Sequence, residues 1–132
     1  MRVLIDTSFI LPALGIDVGE EVLENIKKFP NHEIYFTDFS IIEAMWVMKK
    51  LIRRGEKIDY NSVKIGLKSL FNTYKLVKIP RLAYIKALKD DRHKDLIDLL
   101  LYYTASIYGM KFLTLDEKLR ELDDKGIIVS KL

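Results

Sequence analysis

The feature that most constrains this chain is the regular alternation of short apolar runs with segments of helical period. Val3-Leu4-Ile5 offers no polar position to either face of a sheet, and Ile34-Tyr35-Phe36, Leu76-Val77-Lys78-Ile79, Phe112-Leu113-Thr114 and Ile127-Ile128-Val129 are similarly short and β-prone. Helical segments lie between them. Asp6-Thr7-Ser8 is suited to closing the first strand and opening a helix. Within Val18 to Phe29, residues Val22, Leu23, Ile26 and Phe29 recur at helical intervals until Pro30-Asn31 breaks the pattern. After a strand over Glu33 to Thr37, Ser40 opens a long helix that stops at Gly55, and a weaker one covers Asn61 to Asn72. Pro80 ends the third strand, Arg81 to Lys89 is helical, and an apolar helix over Lys94 to Tyr108 ends at Gly109. A last helix over Asp116 to Asp124 precedes Gly126 and the fifth strand. Strand and helix in turn, without repeat or linker, predict one three-layer α/β domain over residues 1–132 with a mostly parallel sheet of four to five strands.

Composition narrows the function classes. The chain has no cysteine, so disulfide scaffolds and thiolate zinc sites are excluded, and 132 residues suffice for an ordinary hydrophobic core. The longest uncharged stretch, Leu99 to Met110, falls well short of the roughly eighteen residues of a membrane span. Asp6 comes too soon after Met1 for a secretory signal, and the chain is expected in the cytoplasm. With 22 Lys and Arg against 19 Asp and Glu, a polyanionic partner is permitted without being required.

In open parallel sheets ligands sit beyond the carboxyl ends of the strands, which draws attention to acids placed there. Asp6 follows the first strand and Asp116 the fourth; each also suits the cap of a following helix. Glu43 is the only charged residue between Phe39 and Met48, and Ser40-Ile41-Ile42-Glu43 has capping-box spacing as well. Asp98 shares a helical stripe with Leu101, Tyr102, Ala105 and Gly109, where an ionised carboxylate needs a cation or hydrogen bonds to offset its desolvation. Asp90, Asp91, His93 and Asp95 mix with Lys89, Arg92 and Lys94 and read as a solvated helix entry, with His93 a surface residue and Asp95 close to the site. Asp6, Glu43, Asp98 and Asp116 share the sheet's strand ends and helix starts. Four hard oxygen donors without His or Cys select Mg²⁺ or Mn²⁺.

These residues resemble the PIN-domain nucleases, and in particular the small stand-alone VapC-like toxins. The likeness covers nearly the whole chain: Leu4-Ile5-Asp6-Thr7-Ser8 resembles the family's strand plus D-T-S, Glu43 in Ile42-Glu43-Ala44 its second acid, and Asp98, Thr104-Ala105, Gly109, Leu113-Thr114 and Asp116 its C-terminal pattern. Tyr102 and Tyr103 depart from it, standing where small residues are common. The resemblance implies an endoribonuclease in which Asp6, Glu43, Asp98 and Asp116 are catalytic and hold Mg²⁺ or Mn²⁺, with Thr7 or Thr114 bonded to a ligand carboxylate. It also implies RNA as substrate, an antitoxin protein as partner and a homodimer.

An acidic pocket repels RNA, so phosphate contacts must come from cations elsewhere. Lys49-Lys50-Leu51-Ile52-Arg53-Arg54 aligns Lys49 with Arg53 and Lys50 with Arg54 on a helix; a solvated helix end that complements the helix dipole is the other reading. Two further functions remain open. One is a PIN-like RNA-processing or RNA-binding domain without a toxin role. The other is a Mg²⁺-dependent phosphotransfer domain, disfavoured because Ser8 stands where a D-x-D nucleophile motif needs its second Asp and because the paired N-terminal acids of receiver domains are missing.

Overall fold

The computed structural model describes all 132 residues. Five strands, β1 (Arg2–Ile5), β2 (Glu33–Phe36), β3 (Lys75–Leu76), β4 (Lys111–Leu113) and β5 (Ile128–Val129), form one sheet in the order β3-β2-β1-β4-β5. Every pairing is parallel. Six helices complete the fold: α1 (Glu20–Ile26), α2 (Asp38–Arg53), α3 (Tyr60–Thr73), α4 (Arg81–Lys89), α5 (Leu96–Tyr108) and α6 (Glu117–Glu121).

The pleat of β1 explains the layers. Val3 and Ile5 point into one apolar core with Ile34, Phe36 and Leu113, closed by Val22 of α1, Ala44 and Met48 of α2 and Leu70 of α3. Leu4 and Phe112 point into the other, against Ala83 and Ala87 of α4, the apolar side of α5 and Leu119 of α6. Both faces of β1 are therefore covered, and its three apolar residues are fully buried. Gly109 ends α5 in the left-handed conformation at φ +68°, where its N–H reaches Ala105 and Ser106 carbonyls and a side chain would be strained. The two departing tyrosines fit: the Tyr102 hydroxyl donates to Asp123 at 3.0 Å and the Tyr103 hydroxyl to Asp90 at 2.6 Å.

Several boundaries differ from expectation. Asp6-Thr7-Ser8 opens two 3-10 turns, Thr7–Phe9 and Leu11–Leu14, because Pro12 and Gly15 curtail the segment. The helix expected from Ser40 begins at Asp38, capped by the Thr37 hydroxyl, which accepts from Ser40 N–H at 3.4 Å. Ser40 is fully buried with an unpaired Oγ, so there is no capping box with Glu43. The strand expected over Leu76 to Ile79 is Lys75–Leu76 alone, since β2 ends at Phe36 and Val77 N–H makes the last bond to its carbonyl at 2.9 Å. The acids before α5 are not uniformly solvated. Asp90 is nearly enclosed, its side chain 4% exposed and bonded by Arg92 and Tyr103, whose bonds hold its carboxyl far below the usual range.

Candidate functional site

β1 is the first strand and the centre of the sheet: the chain adds β2 on one side and later crosses to place β4 on the other. Loops leaving β1 and β4 part at that switch point and leave a crevice between them. Ile5 pairs with Leu113, so Asp6 emerges beside Thr114, two residues before Asp116. Asp6, Glu43, Asp98 and Asp116 all line one open cleft of about 570 Å³, together with Thr7, Ser8, Leu11, Trp46, Val47, Lys50 and Leu115.

Each acid is held by its own local structure. Asp6 accepts the Ser8 N–H at 2.9 Å, and burial pushes its carboxyl up to about 6 against opposing hydrogen bonds from Thr114 and Ser8. The charges of Asp98 and Glu43 push in the same direction as burial. Asp98 stands in the first turn of α5, whose cap is Asp95; burial also raises Asp98 to about 6, with Asp95 and Asp116 adding repulsion. Glu43 projects from the second turn of α2 and accepts a hydrogen bond from the Thr7 hydroxyl. Burial raises its carboxyl, the Thr7 bond opposes this, and the charge of Asp95 adds to it. Asp116 caps α6 through one oxygen, which accepts Lys118 N–H at 2.9 Å and Leu119 N–H at 3.3 Å. Capping and facing the cleft are thus not alternatives for Asp6 or Asp116: each does both.

The expectation for His93 is overturned. Its side chain is only 10% exposed and its Nε2 lies 2.9 Å from Asp98 Oδ2. One ligand atom each of His93, Asp98 and Asp116 lies within 4.8 Å of the others. The turn capped by Asp95 folds the preceding residues back over α5, a contact that a run of charged letters conceals. Asp95 itself is exposed and acts on Asp98 and Glu43 through its charge. Trp46 and Lys50 also belong to the cleft. The signal for Trp46 was present as helical spacing, since positions 43, 46, 47 and 50 follow one side of α2.

Asp98 and Asp116 come close together beside His93, Asp6 and Glu43 line the same cleft, and burial raises the Asp6 and Asp98 carboxyls above the ordinary range, a burden that a divalent cation would relieve. Oxygen donors suit Mg²⁺ or Mn²⁺, and an imidazole beside Asp98 does not conflict with Mn²⁺. Fold and cleft together define an α/β protein with a convergent acidic site at the switch point of a parallel sheet. Residues 3–125 match the family model described as PIN domain, and the chain belongs to the PIN-domain family of nucleases.

Solved structures share the architecture. PAE2754 from Pyrobaculum aerophilum is 22% identical, with a TM-score of 0.65 over 98% of this chain and 92% of that one. A chain of a toxin–antitoxin complex from Klebsiella pneumoniae is 15% identical, with a TM-score of 0.68 over 98% and 99%. VapC20 of Mycobacterium tuberculosis, a toxin that cleaves the sarcin-ricin loop, is 16% identical, with a TM-score of 0.65 over 92% and 95%. No curated protein matches the sequence.

Proposed function

We propose that this chain is a metal-dependent endoribonuclease, working as a single PIN domain in the cytoplasm and serving as the toxin of a type II toxin–antitoxin pair. The observation that carries the reading is the convergence of Asp6, Glu43, Asp98 and Asp116 from four separate segments on one cleft. Likeness to a chain from a toxin–antitoxin complex and to an RNA-cleaving toxin supports the toxin role and the antitoxin partner.

Asp6 would be the principal ligand, and Asp98 and Glu43 of the same cleft would help to hold the ion. Asp116 uses one oxygen for its cap and keeps the other for a second ion or for orienting water. Bound there, Mg²⁺ or Mn²⁺ would supply an acidified water for in-line attack on the phosphodiester and offset the charge that develops at phosphorus. Thr7 fixes the Glu43 carboxylate, the Ser8 N–H fixes that of Asp6, and His93 fixes that of Asp98. Lys50 lies at the rim of the cleft, where its ammonium meets substrate phosphate.

Homodimerisation belongs to the same reading. Leu82, Ile85 and Leu88 are 53%, 50% and 77% exposed on α4 and are spaced evenly about Ile85. Antiparallel pairing with a second copy matches Leu82 to Leu88 and Ile85 to itself, as a two-fold interface requires.

The test is incubation of the protein, freed of inhibitor, with RNA. Cleavage is expected with Mg²⁺ or Mn²⁺, and none in EDTA or with folded Asp6→Asn. Full activity in chelator, or undiminished cleavage by the variant, overturns the assignment; tight RNA binding without cleavage by wild type would make this a binding domain.

A further inference from the structure

The acidic cleft has one wall of a different kind. α2 turns Glu43, Trp46, Val47 and Lys50 toward the cleft, so that an acid, an indole and a cation follow one another within two helical turns. Trp46 is 59% exposed and makes no aromatic pair. A single exposed apolar residue is ordinary on a protein surface. What sets Trp46 apart is its position, about one turn beyond a carboxylate of the site and one turn before Lys50. Lys49, Lys50, Arg53 and Arg54 continue along the helix, all exposed and none in an ion pair.

Indole faces stack on bases of any sequence, because every base presents a π-face, and cations along a groove follow the phosphates. In a duplex both faces of an internal base are already covered by its neighbours, and an indole has no free base to meet. We propose that Trp46 stacks on an unpaired nucleobase beside the scissile phosphate while Lys50 holds the adjacent phosphate. The site thereby selects RNA that is single-stranded and unstacked at the cut. This rests on the nuclease reading and makes Trp46 a specificity-determining residue, distinct from the acids.

Trp46 is the only tryptophan of the chain, so indole emission, excited at wavelengths that tyrosine does not absorb, reports on this position alone. The protein is titrated by stopped flow in Ca²⁺, which occupies hard-oxygen sites, with a single-stranded RNA dodecamer and with the same dodecamer in a duplex. Single strands are expected to quench Trp46 and duplex to leave it nearly unchanged. Read by the fluorescence anisotropy of an end-labelled dodecamer, since these variants lack the indole, Trp46→Ala should weaken single-strand binding about ten- to hundredfold at unchanged melting temperature, and Trp46→Phe should restore most of it. Lys50→Ala should lower the salt slope by about one. Equal response to duplex, single-strand binding without quenching, an unaffected Trp46→Ala, or no RNA binding overturns the proposal; in those cases quenching by a co-purified protein partner would assign Trp46 to that partner. Quenching by single strands without any cleavage in Mg²⁺ or Mn²⁺ would leave the stacking in place and remove the nuclease. Chelator-sensitive cleavage that Trp46→Ala leaves unchanged would do the reverse.

Discussion

Asp6 follows a strand whose three apolar residues are fully buried, and folding removes most of the water from a carboxyl that has other acids for neighbours. Its folded-state pKa of about 6 stands above the ordinary value of 3.8, so the native state binds more protons than the unfolded chain between those limits. Metal-free protein should therefore lose stability as pH rises from about 4 to 6, by an amount on the order of 3 kcal/mol from Asp6 alone, with Asp98 acting in the same window. Asp90 has a lowered carboxyl, and its contribution is lost only as pH falls below the ordinary carboxylate range. Urea titrations in EDTA at pH 4.5 and 7.5 check this: Asp6→Asn should flatten the dependence, and a wild type more stable at the higher pH would contradict the shared burial of these acids. The candidate acids were legible as residues because strand ends and isolated charges are visible in one dimension. His93 was not, because its bond to Asp98 depends on the turn at Asp95 folding back.

Among the elements, helix and strand types followed from hydrophobic period, whereas their ends followed from partners the period does not contain. α2 starts at Asp38 because Thr37, buried at the end of β2, supplies the cap. β3 is short because its pairing ends with Phe36 of β2. The contact of α3 with the turn at Leu11–Leu14 was invisible in the sequence, yet it is closely fitted: a Cβ on Gly66 would lie 1.9 Å from the Ala13 carbonyl oxygen. Alanine would favour the helix by up to about 1 kcal/mol. Backbone on both sides cannot yield cheaply, and overpacking of this kind costs about 1–3 kcal/mol or more. Gly66→Ala is expected to lower the melting temperature by several degrees with the cleft's acids intact, measured by calorimetry; a variant as stable as wild type would mean that α3 is free to move away from the turn.

At the scale of the whole molecule, the crossover from β2 and β3 to β4 on the far side of β1 positions the acidic cleft, because it sets Asp6 and Asp116 on adjacent strand exits. Alternating strands and helices announced a parallel sheet but not this order, which depends on which strands find one another. The outer side of α4, with Leu82, Ile85 and Leu88, is uncovered. If α4 pairs with a second copy as proposed, Ile85→Glu turns that dimer into a monomer of unchanged helix content, read by light scattering, and a wild type that is monomeric at high concentration would remove the second copy. That the acids form one cation site, and are not separate carboxylates each serving only its own local hydrogen bonds, is tested most directly by melting wild type and Asp98→Asn, each in EDTA and in Mn²⁺. A cation binding only the native state adds about 2.7 kcal/mol at a hundred times its dissociation constant, worth several degrees for a domain of this size. Wild type should gain those degrees from Mn²⁺. Asp98→Asn, relieved of one repelling charge, should match or exceed wild type in EDTA and gain little from the metal. A wild type indifferent to Mn²⁺, with Asp98→Asn destabilised equally in both buffers, would contradict a shared metal site.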